Sequence, residues 1–353
     1  MKRLLISALS VLLWHQAAAW EVGQGEQVQV FLPEGLSPVA YTALRVLDQD
    51  MGLVLNASAQ RTSTADRAGI VCTIDGSLPR EGFHCHVSPQ GQLLVEGADP
   101  HGIAYGLMEV SHMLGVSAWE DWADVTPRQR ESLLIANDYE VRQQPAVAYR
   151  GLFINDEDWG LNPWATSQEP EAWVIREGRI AGAVGPRVTE RIFKLMLRLR
   201  LNYYWPPMHE CTQPFFLTPG NREVAARYGI YIGGSHCEPM ASSAAAEWGI
   251  RGQGEYNYVT NREAVQQFWQ ERLDSVSGQE IVYTLGMRGV HDGAMQGVKT
   301  NAEKVQYLQQ VIDDQRSMLA RTTGRELTTI PQVFVPYRKC STSTAMACRC
   351  PTM

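Results

Sequence analysis

The chain has 353 residues, 44% of them hydrophobic, and a net charge of −7 from 38 acids against 31 bases. This is the composition of a globular protein, long enough for two domains of ordinary size, and it excludes a disordered or collagen-like chain. The charges are spread without long like-sign runs, so nothing recommends nucleic acid or an anionic membrane as a partner.

In chain order, Lys2 and Arg3 precede an apolar run from Leu4 to Trp14, and Ala17, Ala18 and Ala19 supply small residues at a cleavage point. The pattern predicts a signal peptide over 1–19 and a secreted or periplasmic protein whose mature chain starts near Trp20. The run is too short to span a bilayer, and no later stretch approaches the necessary length. A small α+β domain is predicted over 20–123. Its strands are read at Val28–Leu32, Gly69–Ile74, Gly82–Val87 and Gln92–Glu96, and its helices at Ser37–Gln49 and His101–Leu114. Asp99 and Pro100 are start signals for the second helix. Seven cysteines do not form a scaffold, since Cys72, Cys85, Cys211 and Cys237 are scattered while Cys340, Cys348 and Cys350 crowd the end. Cys72 and Cys85, on neighbouring strand candidates, could pair in an oxidising compartment. Residues 124–147, polar around Pro127 to Glu131, read as a linker.

From 148 onward short strand patterns alternate with helical ones. Strands are predicted at Ala148–Ile154, Asn202–Trp205, Gly229–Gly233, Ile281–Leu285 and Gln332–Val335. The helices between them fall near Val188–Leu199, Arg222–Tyr228, Arg262–Ser275 and Thr300–Leu319. Alternation of this kind argues for a parallel sheet with crossover helices. A (β/α)8 barrel takes eight such units over about 250 residues. The fold class is therefore α/β, a small α+β domain followed over 148–338 by an incomplete TIM-type barrel of about five units.

Each strand runs into polar side chains: Asn155, Asp156, Glu157 and Asp158; His209 and Glu210; His236 and Glu238; Arg288, His291 and Asp292; then Tyr337. Any one cluster suits an ordinary turn. All of them beyond the carboxyl ends of parallel strands suit an active site. Paired carboxylates are what glycosidic hydrolysis needs, one to protonate the leaving oxygen and one to activate water or attack the sugar. Glu157, Glu238 and Asp292 are the candidates for that chemistry. Asn155, Asp156, Trp205, His209, Glu210, His236, Arg288 and Tyr337 are candidates for holding the sugar. A guanidinium such as Arg288 can bind a uronic carboxylate through two hydrogen bonds, unless it is spent on an ion pair with Asp292. Trp159, Trp164 and Trp205 offer flat faces on which sugars stack, which also fits a carbohydrate-binding protein without catalysis. A zinc hydrolase using His209, Glu210, His236 and Glu238 is the third reading, although no His-x-His or His-Glu-x-x-His spacing supports it.

Tyr149 to Leu161, Asn202 to Cys211, Ser235 to Met240 and Gly286 to Gly293 together resemble glycoside hydrolase family 115 over Trp20 to about Arg338. The resemblance implies an inverting xylan α-1,2-glucuronidase that removes glucuronic acid or its 4-O-methyl ether. It further implies xylan or glucuronoxylan oligosaccharides as partners, no cofactor or metal, and a homodimer for the full-length form. The pattern departs after Arg338, where the family motif Pro-Tyr-Lys-Glu-Val-Leu is replaced by Pro336-Tyr337-Arg338-Lys339-Cys340-Ser341. If Arg-Glu-Val-Leu were encoded CGG-GAA-GTG-CTC, loss of one G would give Arg-Lys-Cys-Ser, and the rest of 339–353 obeys the same shift. The tail is therefore expected to be out of frame, and the chain as written inactive.

Overall fold

The computed structural model describes residues 19–155, 159–290 and 293–336, divided between two compact units. The leader expected over 1–19 lies outside them except for Ala19, as does the tail from Tyr337 onward.

The first unit comprises the described residues up to Gly35, Leu44–Val116 and Thr126–Gln144. Its strands are β1 (Trp20–Gly23), β2 (Gln27–Phe31), β3 (Ser58–Thr62), β4 (Ile70–Ile74), β5 (Phe83–Val87), β6 (Leu93–Gly97), β7 (Ser132–Ile135) and β8 (Glu140–Gln143). Six of them form one sheet in the order β3-β2-β4-β6-β5-β8, parallel except at β5 and β8. Helix α1 (Pro38–Leu55), which belongs to this unit from Leu44 on, and α2 (Pro100–Leu114) complete it. α2 starts where its sequence signals put it: Asp99 accepts hydrogen bonds from the backbone N–H groups of His101 and Gly102, and Pro100 needs no donor there. The helix lies so close to the sheet that a Cβ on Gly106 would come within 2.4 Å of Val95.

Two expectations are corrected here. Residues 124–147 are not simply a linker, because β7 pairs with β1 and β8 extends the main sheet beyond β5. β8 hides from pattern reading because only Val141 of its four residues is even half-buried. An edge strand held by backbone hydrogen bonds needs no apolar alternation. Cys72 and Cys85 are buried free thiols rather than a pair. Both stand opposite Val95, on either side of β6. Two strand spacings, about 9.5 Å, separate them, beyond disulfide reach. Burial and the nearby Glu109 carboxylate push the Cys85 thiol up to about 12.

The second unit holds β9 (Gly151–Phe153), β10 (Tyr203–Trp205), β11 (Tyr231–Ile232), β12 (Tyr283–Leu285) and β13 (Gln332–Phe334). Its helices are α3 (Leu161–Gln168), α4 (Pro186–Arg198), α5 (Asn221–Tyr228), α6 (Ala244–Arg251), α7 (Arg262–Ser275) and α8 (Asn301–Thr323). Every strand pairing is parallel, β9 to β10 to β11 and β12 to β13, with a parallel bridge from Ile232 to Ile281 between the two groups. All five predicted strands are present, shortened to the residues that pair. The helices α3 and α6 were not anticipated.

Buried polar side chains fasten this frame. Asn202 takes the Arg150 N–H and gives its own amide to the Ala148 carbonyl, tying the start of β9 to that of β10. Glu169, 2% exposed, accepts from the Arg187 and Val188 N–H groups and so caps α4 with a carboxylate. Gln315 of α8 grips both backbone groups of Gly286, its amide oxygen 2.7 Å from N and its amide nitrogen 2.9 Å from O. No helix among the described residues is long and apolar enough to cross a membrane.

Candidate active site

Because the five strands of the second unit run parallel, the loops that follow them emerge at one edge. Those loops carry the candidates read from sequence that fall among the described residues. Asp156, Glu157, Asp158, His291, Asp292 and Tyr337 lie outside the described residues.

The loop after β11 is the most sharply built. Glu238 accepts two hydrogen bonds on Oε2, from Ser235 N at 2.7 Å and from Ser235 Oγ at 2.8 Å. The backbone turns abruptly behind it: Met240 and Ala241 both have φ of 56°, a left-handed conformation that non-glycine residues avoid. Such strain persists only where the surroundings fix it, and here both residues are buried. Gly233, just after β11, leaves room for the ring of Tyr203, since a Cβ there would meet the phenolic oxygen at 2.3 Å.

Glu238 and His209 line one small pocket, with a cavity volume of about 20 Å³, together with Pro206, Pro207, Phe215 and Phe216. The structure thus brings a carboxylate, an imidazole and apolar walls together. Glu210, one residue on, lines a separate and larger hollow of about 490 Å³ and is ion-paired to the exposed Arg179. His236 is half-buried and Asn155 exposed. Arg288 is 5% exposed, its Nε donating to the Gly293 carbonyl at 3.3 Å. Thr284 Oγ donates to the Gly234 carbonyl at 2.5 Å and so ties the end of β12 to the end of β11.

The tryptophans separate into different roles. Trp159 is 91% exposed. Trp205 packs edge-on against Phe153 and Tyr203. Trp164 is engaged elsewhere, tilted on Trp122 with the Arg191 guanidinium 5.1 Å from its ring centroid, so it is not an open platform for sugar.

One pocket residue escaped sequence reading. Glu247 of α6, 1% exposed, lines the same pocket as Glu238. It is held by Arg251 at 2.8 Å and by the buried Arg272 of α7. Burial pulls the Arg272 guanidinium below its usual value, and the Glu247 charge opposes that shift. The signal available was Glu247 with Arg251, an i,i+4 pair of opposite charge, in a helix too short and alanine-rich to stand out.

The zinc reading gains no support in the geometry. Among the described residues, the group of three His, Cys or carboxylate donors close enough to share an ion is not at this edge but in the first unit.

The profile of Glycosyl hydrolase family 115 matches residues 142–352. The matched span includes the tail for which a shifted frame was expected. A solved family GH115 4-O-methyl-α-glucuronidase with specificity for decorated arabinogalactans is 45% identical, with a TM-score of 0.87, over 94% of this chain and 45% of that one. The chain thus spans less than half the length of that relative. An N-acetyl-β-hexosaminidase from Streptomyces plicatus is 11% identical with a TM-score of 0.55, covering 90% of this chain and 62% of that one. A mutant β-hexosaminidase of the same organism is 12% identical with a TM-score of 0.54, covering 87% and 62%. At such identity the likeness is one of fold alone. No curated protein sequence matches the chain.

Proposed function

The chain belongs to glycosyl hydrolase family 115, and from that premise we propose that it carries the first part of an α-glucuronidase that removes glucuronic acid or its 4-O-methyl ether from a plant polysaccharide by inverting hydrolysis. The observation that carries this reading is the 45% identity, over 94% of the chain, to a 4-O-methyl-α-glucuronidase. The five parallel strands are, in this reading, five of the eight units of a TIM-type barrel. Its reacting sugar sits beyond their carboxyl ends. Glu238, set by Ser235, belongs with Glu157 and Asp292 to the set from which the acid and base are drawn. An inverting enzyme holds its two carboxyl groups about 6.5–9.5 Å apart, with water between one of them and the sugar. Arg288 and His209 orient the uronic acid.

Xylan is the backbone that the sequence motifs favour. The specificity of the solved relative for decorated arabinogalactans makes that polymer the second substrate to try. The 353 residues alone are expected to be inactive, since they span 45% of the relative's length and carry Lys339 where the family motif has Glu. The full-length form is proposed to be a secreted or periplasmic homodimer.

The test is release of uronic acid from glucuronoxylan and from glucuronidated arabinogalactan by two forms, the 353-residue chain and a version with the frame restored after Arg338. Release by the restored form only is expected, with an anomer opposite to that of the substrate. Release by neither form on either polymer, with both folded, rejects the assignment. Coding DNA that reads unshifted through Met353 rejects the frame shift.

A further inference from the structure

A second group of chemistry-bearing side chains lies in the first unit. His84 and His86 stand two residues apart on β5, so both project from the same face of the sheet. Phe83, Cys85 and Val87, between and beside them, are buried on the opposite face. The register places Glu96 of β6 directly opposite His84, and Glu140 of β8 directly opposite His86. Two imidazoles and two carboxylates from three adjacent strands therefore share one patch.

The donor atoms of the patch lie close together. Nδ1 of His84 lies 2.7 Å from Glu96 Oε2, and Nδ1 of His86 lies 3.9 Å from the same oxygen. The rings are stacked, 4.2 Å between centroids and 18° from parallel. One donor atom from each of His84, His86 and Glu96 lies within 4.8 Å of the others. His86 Nδ1 is buried and has no hydrogen-bond partner. Leaving a buried ring nitrogen so is costly, and a native fold tolerates it where something outside the polypeptide satisfies the atom.

We propose that this face of β5 and β6 binds a divalent transition ion of the zinc type through His84, His86 and Glu96, with water in the remaining position. Two imidazole nitrogens and a carboxylate oxygen suit zinc better than calcium or magnesium, which prefer all-oxygen sites. Bonds of about 2.0–2.2 Å to a tetrahedral ion set the donor atoms roughly 3.3–3.6 Å apart. The 2.7 Å spacing must open by roughly 0.6–0.9 Å, the 3.9 Å spacing must close by roughly 0.3–0.6 Å, and the two imidazole donors, within 4.8 Å of each other, must adjust with them, all by side-chain rotation. The surroundings are arranged for the same end. The far nitrogen of His84, Nε2, lies 3.0 Å from Glu140 Oε1, and Arg142 Nε donates to that oxygen at 3.3 Å. A carboxylate on the outer nitrogen fixes the tautomer and orientation of a ligating imidazole. His86 and Glu96 side chains are 26% and 30% exposed, enough for the ion and its water to enter. The ion would rivet β5 to β6, and through Glu140 hold the edge strand β8.

The test is titration of the full chain, freed of any tag and of adventitious metal by chelation, with zinc chloride in a calorimeter and by thermal melting. One ion per chain with micromolar or tighter affinity, and a melting point raised by saturating zinc, is expected. His86→Ala, which removes the unpartnered nitrogen while leaving the His84 hydrogen bonds in place, should abolish the uptake. Glu140→Gln, with the ligands intact, should weaken it by about 10- to 100-fold. Circular dichroism identifies any variant that fails to fold, and Glu140→Gln then carries the comparison. Absence of zinc uptake by the unmutated chain, or uptake unchanged in folded His86→Ala, overturns the proposal and leaves His84 as an imidazole clasped between two carboxylates.

Discussion

Glu238 owes its orientation to a residue three positions earlier. Ser235 gives both its backbone N–H and its hydroxyl to the same carboxylate oxygen. Ser235→Ala leaves the backbone bond but removes the hydroxyl, which also accepts from the buried Cys237 N–H, so unfolding free energy should fall by about 1–3 kcal/mol in denaturant titration. If Glu238 takes part in the reaction, kcat of the frame-restored enzyme should drop about tenfold or more, the equivalent of about 1.4 kcal/mol in the barrier. An unchanged kcat with a lowered stability would assign the pair to structure. Glu238 was readable from sequence because it follows a strand pattern directly. Glu247 was not, because its place in the pocket depends on α6 and on the distant Arg272, which sequence does not set side by side.

At the scale of elements, the ends matter more than the middles. α8 begins with a reciprocal cap: Thr300 Oγ accepts from the Glu303 N–H, and Glu303 accepts from the Thr300 N–H. Thr300→Ala should cost about 1 kcal/mol of stability in urea unfolding. The Thr300 and Lys299 N–H groups hold the Glu303 carboxyl below the usual carboxylate range. A depressed folded value means the stabilisation is fully present above the unfolded value of about 4.3 and is lost as pH falls through the folded one. In Glu303→Gln this acid-side loss should be smaller, measured as the change in urea midpoint between neutral and acidic buffer. Further along the helix, Gln315→Ala would leave both the N–H and the carbonyl of Gly286 buried and unpaired, at about 1–3 kcal/mol each. The thermal midpoint should fall accordingly, and substitution by Glu should not rescue it because a carboxylate cannot serve the carbonyl.

The long helices were legible from their apolar spacing, joined at α2 by the start signal of Asp99, whereas α7 (Arg262–Ser275) has no side-chain cap and was read from spacing alone. β8 and β1 were not, since pairing with a partner far along the chain, Trp20 with Ile135, leaves no local trace. The catalytic-side strands were legible in position but not in length, because what pairs is as few as two residues of each apolar run, as at Tyr231–Ile232.

For the whole molecule, family membership was readable from four runs of side chains that lie at strand ends, where chemistry constrains identity more tightly than packing does. The first unit has no such runs, and its ligand patch became visible only when β5, β6 and β8 were aligned. The proposal of export predicts a further result at this scale. Protein recovered from outside the cytoplasm should begin near Trp20 by intact mass, and retention of Met1 would count against a cleaved leader. Trp20 is itself 3% exposed in β1, so a leader left attached would continue from a residue already committed to the fold.

The seam between β11 and β12 carries a last consequence. The two strand groups meet through Ile232 N to the Glu280 carbonyl, Val282 N to the Ile232 carbonyl, and the Thr284 hydroxyl to the Gly234 carbonyl. Glu238 follows one side of that seam and Arg288 follows the other. Three short bonds therefore act as the gauge that spaces a carboxylate from a guanidinium. The protons of Ile232 and Val282 are the place to watch it, because their exchange with solvent would time the breathing of the cleft itself.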